Sequence, residues 1–124
     1  MKEENVVLVK SYAFSKRSVL LYKLLIKNKQ PRPLADQILR CGTSIGANVE
    51  EAIGGFSRRD FAAKCGIAYK EARESHYWLR LLRDTECIEP RLAESLLKDA
   101  DELKRILAAI ILSSRKAPEK EINF

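Results

Sequence analysis

Apolar positions recur along this chain with a helical rather than a strand period, and three breaks divide them into four segments. The breaks are Lys29-Gln30-Pro31-Arg32-Pro33, Gly54-Gly55, and a weaker one from Thr85 to Pro90. In the third segment Phe61, Cys65, Ala68, Ala72, Ser75, Leu79 and Leu82 alternate spacings of four and three. That places them in one seam of a helix from about Arg58 to Thr85, roughly 40 Å long at 1.5 Å per residue. Ser57 is its expected N-cap, Asp60 follows three residues later as in a capping box, and Phe56 stands where it would staple onto Phe61. The pairs Asp60–Lys64 and Lys70–Glu74 are four apart and support the helix by a few tenths of a kcal/mol each.

The fourth segment opens at Pro90, which suits a first helical position, and its seam is Leu96, Ala100, Leu103, Leu107 and Ile110. The first segment carries Tyr12, Ser15, Val19, Tyr22 and Ile26, with a second stripe of Phe14, Ser18, Leu21 and Leu25 beside it. Its helix starts between Val6 and Ser11. The second segment has two adjacent stripes: Leu34, Ile38, Cys41, Ile45, Asn48 and Ala52, and Ala35, Leu39, Gly42, Gly46, Val49 and Ile53. Each glycine inside a helix costs about 1 kcal/mol relative to alanine. Gly42 and Gly46 therefore predict close approach of another helix.

The fold expected is all-α: an antiparallel up-down-up-down four-helix bundle in a single domain. The bundle spans 9–114, after an N-terminal extension over 1–8 and before a flexible tail over 115–124. Helices one and two have apolar faces broader than two neighbours require, which predicts a homo-oligomer, with a wide-cored monomer as the alternative.

Composition narrows the function more than the fold. With 124 residues, 46% hydrophobic and 32% charged, and only five Gly and four Pro, disordered and collagen-like classes are excluded. The apolar runs are too short to span a membrane, and acids near Met1 do not fit a signal peptide, so a cytoplasmic location is expected. Cys41, Cys65 and Cys87 are odd in number, widely spaced and without a CxxC pair, so they read as reduced small hydrophobes. His76 is the single histidine. No zinc or di-iron ligand set can be assembled, and neither metal nor cofactor is expected.

The segment Gly42-Thr43-Ser44-Ile45-Gly46-Ala47-Asn48 resembles a phosphate loop only superficially: it lacks the Gly-Lys-Ser/Thr ending, and helical periodicity runs through it. Asn48 lies on the seam, where its amide needs hydrogen-bond partners and can fix register or assembly state. Glu50, Glu51, Glu71 and Glu74 are the carboxylates available for acid–base work. Trp78 reads as core or subunit contact, although it and Tyr77 are capable of stacking bases.

The net charge of +6 is not spread evenly. Residues 1–33 hold eight basic and two acidic side chains, whereas the other segments nearly cancel. Lys10, Lys16, Arg17, Lys23, Lys27, Lys29 and Arg32 are therefore the candidate nucleic-acid-binding residues.

Gln37-Ile38-Leu39-Arg40 and Thr43-Ser44-Ile45-Gly46-Ala47-Asn48-Val49-Glu50-Glu51 resemble the four-helix-bundle, or 23S rRNA-intervening-sequence, protein family. The resemblance continues through Ser57-Arg58-Arg59-Asp60-Phe61, Ile67-Ala68-Tyr69-Lys70-Glu71-Ala72, Glu74 and Tyr77-Trp78-Leu79, covering roughly Val9 to Ile111. It implies a bacterial protein, a left-handed antiparallel bundle and a homopentamer. Some members of that family are encoded inside insertions in ribosomal RNA genes. The basic pentameric accessory protein of diversity-generating retroelements, which partners a reverse transcriptase and nucleic acid, is a distant relative. The pattern marks Ser44, Asn48, Glu51, Asp60, Phe61, Glu71, Glu74 and Trp78 as structural motif positions and supplies no catalytic residue. Ala52 follows Glu51 where many relatives have Gly, so the second helix is expected to run slightly further.

The reading that follows is a non-enzymatic, homo-oligomeric scaffold that engages RNA, DNA or a nucleoprotein through its basic first helix. A protein–protein interaction module without a nucleic-acid role is the first alternative. A carboxylate-dependent hydrolase or nuclease is the second.

Overall fold

A computed structural model describes residues 2–116. It contains four helices in chain order, α1 (Lys2–Lys27), α2 (Arg32–Ile53), α3 (Arg58–Asp84) and α4 (Pro90–Lys116). Cross-helix contacts fix their relative sense. Lys10 pairs with Glu102 and Arg17 with Asp99, so ascent along α1 is descent along α4. Arg40 reaches Glu71 and Glu74 while Glu51 meets Lys64, which makes α2 and α3 antiparallel. His76 to Asp101 and Arg83 to Glu94 do the same for α3 and α4. Four helices around one core form a four-helix bundle.

Local chemistry explains where each helix stops. At the end of α1 the Gln30 N–H donates to the Leu25 carbonyl at 2.9 Å and the Lys29 N–H to Ile26 at 3.1 Å. This is a Schellman closure with Lys29 in the left-handed region at φ 58°. The end of α3 repeats it, with Cys87 donating to Leu82 at 2.8 Å and Glu86 at φ 60°. Ser57 caps α3 as expected, its Oγ accepting from the Asp60 N–H at 3.1 Å. The staple is absent: Phe56 is 95% exposed, and Phe61 enters the core without it.

The seams of α3 and α4 are buried residue for residue as their spacing predicted. On α2 the buried line, Ala35, Ile38, Cys41, Gly42, Ile45, Gly46, Val49 and Ala52, runs between the two expected stripes. Packing against both α1 and α3 accounts for that breadth.

On α1 the order of the stripes is reversed. The core side is Val7, Ser11, Phe14, Ser18, Leu21 and Leu25. Tyr12 is 60% exposed and Val19 38%, while Ser15, Tyr22 and Ile26 are half-buried. The reason is that Lys16 and Lys23 share the face of Tyr12 and Val19, and two ammonium groups cannot enter an apolar core. Helix α1 also begins earlier than Val6 or Ser11. Residues 2–8, expected as an extension, continue the helix, and Val7 is fully buried. Arg115 and Lys116 continue α4; the remainder of the expected tail, 117–124, lies outside the described residues.

The α1–α2 contact is close for a visible reason. A Cβ at Gly42 would lie 2.1 Å from Ser18 Oγ, and one at Gly46 would lie 2.8 Å from Ser15 Oγ and 3.2 Å from the Ser11 carbonyl oxygen. Glycines on α2 face serines on α1, and the backbones approach through the missing side chains.

Candidate nucleic-acid interface

The seven candidate cations separate into two groups. Lys10 and Arg17 turn toward α4: Lys10 Nζ lies 3.2 Å from Glu102, and Arg17 lies 2.6 Å from Asp99 while also donating to Ser95 Oγ at 3.0 Å. Their charges are answered inside the chain. Lys16, Lys23 and Lys27 are exposed on the face of α1 opposite its buried stripe, as 100° per residue requires. Lys29 in the α1–α2 turn and Arg32 at the start of α2 are exposed as well, and Arg32 Nη1 donates to the Tyr22 hydroxyl at 3.4 Å. None of these five has a carboxylate partner among the described residues. Lys16 Nζ sits 5.1 Å from the Tyr12 ring centroid. Val9, Tyr12, Val19 and Leu20 are exposed between the cations, so the face is mixed basic and apolar.

The carboxylates are arranged quite differently. Arg40 of α2 contacts both Glu71, at 3.2 Å, and Glu74 of α3. Its Nε and Nη2 also donate to Gln37 Oε1 at 3.2 and 3.1 Å. Trp78 Nε1 donates to Glu74 Oε2 at 3.0 Å, and Ser44 Oγ donates to the Arg40 carbonyl at 2.7 Å. Burial opposes the charge on Arg40, but Glu74 and Glu71 outweigh it and raise its pKa. Two carboxylates that converge on a guanidinium form an interhelical clamp, with neither poised as an unpaired acid or base. Glu51 pairs with Lys64 at 2.8 Å, and Glu50 is exposed beside Val9 and Lys16.

Beneath the clamp, Ser75 Oγ donates to the Glu71 carbonyl at 2.8 Å and lies 3.2 Å from Cys41 Sγ. Burial pushes the Cys41 thiol up to about 11, against the opposing pull of Ser75. Asn48 is half-buried, and its Nδ2 donates to the Ser44 carbonyl of its own helix at 2.8 Å. Its observed bond is thus intrahelical and not a tie between helices. His76 lies 3.3 Å from Asp101 at the α3–α4 contact; burial, aided by Lys104 and Arg80, outweighs that carboxylate and lowers its pKa. Trp78 is half-buried, edge-on to Tyr77 at 4.9 Å. Among the described residues no group of three or more His, Cys, Asp or Glu is placed to hold a metal ion, and no helix is long and apolar enough to cross a membrane.

Two features escaped the sequence reading. Asp99 and Glu102 act as internal counter-ions of α1, and their i, i+3 spacing on α4 was the available signal. Arg40 sat inside the Gln37–Arg40 motif without an assigned role, although an arginine with two glutamates one turn apart on another helix has the makings of such a clamp.

Fold and surface together define an all-α four-helix bundle with one basic, partly apolar outer face. The chain belongs to the 23S rRNA-intervening sequence protein family, whose model matches residues 3–109. It is also similar to a crystal structure of a protein of unknown function from Bacteroides thetaiotaomicron, of the S23 ribosomal protein family. Identity is 47%, the TM-score is 0.85, and the match covers 89% of this chain and 98% of that one. Among curated proteins none matches the chain.

Proposed function

We propose that this protein is a non-enzymatic scaffold that self-associates, as a pentamer, and binds RNA or DNA through the outer face of α1. One observation carries the reading: Lys16, Lys23 and Lys27 are exposed on one face of α1, with Lys29 and Arg32 exposed just beyond it, and none has a carboxylate partner among the described residues, whereas Lys10 and Arg17 have one. From Lys16 to Lys27 the line runs about 16 Å, which spans about five phosphates of one strand at 3.4 Å each. Tyr12 and Leu20 add flat and apolar surface against which bases can rest. The same apolar residues favour a protein partner on this face as a second reading.

Fluorescence anisotropy with a labelled single-stranded RNA, at several salt concentrations, tests the first. Binding should weaken steeply with salt. Lys16→Glu with Lys23→Glu should weaken it at least tenfold and flatten the slope by about 0.7 for each phosphate that is no longer neutralised. Binding that is absent or indifferent to salt, with the oligomer intact, would sink the nucleic-acid reading. A partner protein retained through α1 after nuclease treatment would support the second.

A further inference from the structure

The basic face of α1 borders one group that works against it. Glu50 of α2 is exposed next to Lys16 and has no ion-pair partner among the described residues. A free carboxylate repels phosphates, so beside a polyanion it weakens binding unless it meets something other than phosphate. Helix packing puts it there. Gly46 lies against Ser15 and the Ser11 carbonyl, as Gly42 does against Ser18. Glu50 follows Gly46 by about one turn of α2, which brings it alongside the Leu8–Tyr12 stretch of α1.

There Glu50 forms one wall of a shallow cavity of about 400 Å³, lined otherwise by Leu8, Val9, Tyr12, Ala13 and Lys16. Small-ligand clefts run from about 300 to 1,000 Å³, so the space suits one small group. Tyr12 is 60% exposed and Val9 68%, giving an aromatic ring on an apolar bed. Lys16 Nζ stands over that ring, 5.1 Å from its centroid. A ring to stack on, a cation for a phosphate and an acceptor for N–H groups are together what holds a single nucleotide.

We infer that this cavity takes an unpaired guanine base of a single-stranded nucleic acid, with Glu50 reading the edge of the base. The inference rests on the nucleic-acid reading above and deepens it. Guanine alone among the common bases presents two adjacent donors, N1–H and the N2 amine, which match the two oxygens of a carboxylate. Adenine and cytosine set their amine beside a ring-nitrogen acceptor that repels Glu50. Uracil and thymine flank a single N–H with two carbonyls. In a duplex the same guanine edge is occupied by cytosine, so the base must be unpaired. Tyr12 stacks on the base, Lys16 answers its phosphate, and Lys23 and Lys27 hold the strand further along α1.

Fluorescence anisotropy of the full chain with four labelled uridine dodecamers provides the test. They carry guanosine, inosine, adenosine or uridine at the centre, and inosine differs from guanosine only in lacking the N2 amine. The guanosine strand should bind at least about fivefold more tightly than the other three. Glu50→Gln removes a negative charge, so it should tighten all four strands while erasing the guanosine preference. Tyr12→Ala should weaken the guanosine strand at least about fivefold, whereas Tyr12→Phe keeps the ring and most of the affinity. Both side chains are exposed, so circular dichroism should show unchanged helicity. Equal affinity for guanosine and inosine strands, or a preference that survives Glu50→Gln, would overturn the inference and leave nucleic-acid binding standing. Guanosine monophosphate that competed as tightly as the strand would overturn it too, by assigning the cavity to a free nucleotide. Failure of every dodecamer to bind at low salt would remove both the guanine site and the reading it rests on.

Discussion

Replacing Gly42 by alanine sets two effects of similar size against each other. Alanine is better than glycine inside a helix by about 1 kcal/mol. The added methyl carbon, however, would sit 2.8 Å from Ser18 Cβ and 2.1 Å from Ser18 Oγ, well inside the 3.5–4 Å at which such atoms rest. Rotating Ser18 can move the hydroxyl, at the expense of its bond to the Phe14 carbonyl, but it cannot move the Cβ. The helices themselves must separate. Overpacking of this kind costs about 1–3 kcal/mol, and a clash against a backbone-anchored carbon belongs in the upper half of that range. The expected net loss is about 1–2 kcal/mol, or a melting temperature lower by about 3–10 °C for a domain of this size.

The assay is thermal or urea denaturation followed at 222 nm, at one fixed protein concentration because assembly adds to apparent stability. Gly66→Ala supplies the contrast. There the methyl group meets open space, so the same substitution should stabilise by up to about 1 kcal/mol. Adding Ser18→Gly to Gly42→Ala should recover the packing term, whereas Ser18→Ala should not, since its Cβ stays in place. A neutral or stabilising Gly42→Ala, or rescue by Ser18→Ala, would refute the close approach of α1 and α2.

Three further outcomes follow from two residues, Cys41 and Glu86. The buried Cys41 thiol should resist iodoacetamide at pH 8 in the native protein and react in urea, read by peptide mass spectrometry; ready native labelling would contradict its burial. Because its folded pKa is raised, Cys41 contributes stability below the ordinary thiol value near 9 that is lost as the pH climbs toward 11. Wild type should therefore lose more stability over that window than Cys41→Ala. Glu86→Gly, which relieves a left-handed backbone at φ 60°, should raise the unfolding free energy by about 0.5–1 kcal/mol, and a fall would show that the Glu86 side chain does more than close the helix.

What the sequence revealed followed from how each contact is encoded. The seams of α3 and α4 are narrow and flanked by charges, so a single register buries them and periodicity suffices. In α1 the true core line contains Ser11 and Ser18, which a hydrophobicity pattern scores as weak. These serines are small because they face Gly42 and Gly46, and that complementarity exists only between two helices. The glycines announced a close approach but not the partner. The staple is a side-chain contact that spacing alone suggested, and in the structure Phe61 is buried without Phe56, which stands exposed.

The same distinction governs the charged surface. Composition located the positive excess in the first segment, but it could not say which cations were already satisfied. That depends on Asp99 and Glu102, which lie 82 and 92 residues from Arg17 and Lys10 in the chain and touch them only because α4 runs antiparallel to α1. The structure thus reduces seven cations to five, and it does so selectively along the face. A patch built by composition alone would lose affinity to any lysine or arginine substitution alike. This one should not: Lys10→Gln and Arg17→Gln act through the α1–α4 contact, while Lys16→Gln and Lys23→Gln act on the outer face. If all four weakened RNA binding equally at constant stability, the internal pairing would be irrelevant to function and the outer line would lose its claim to be the interface.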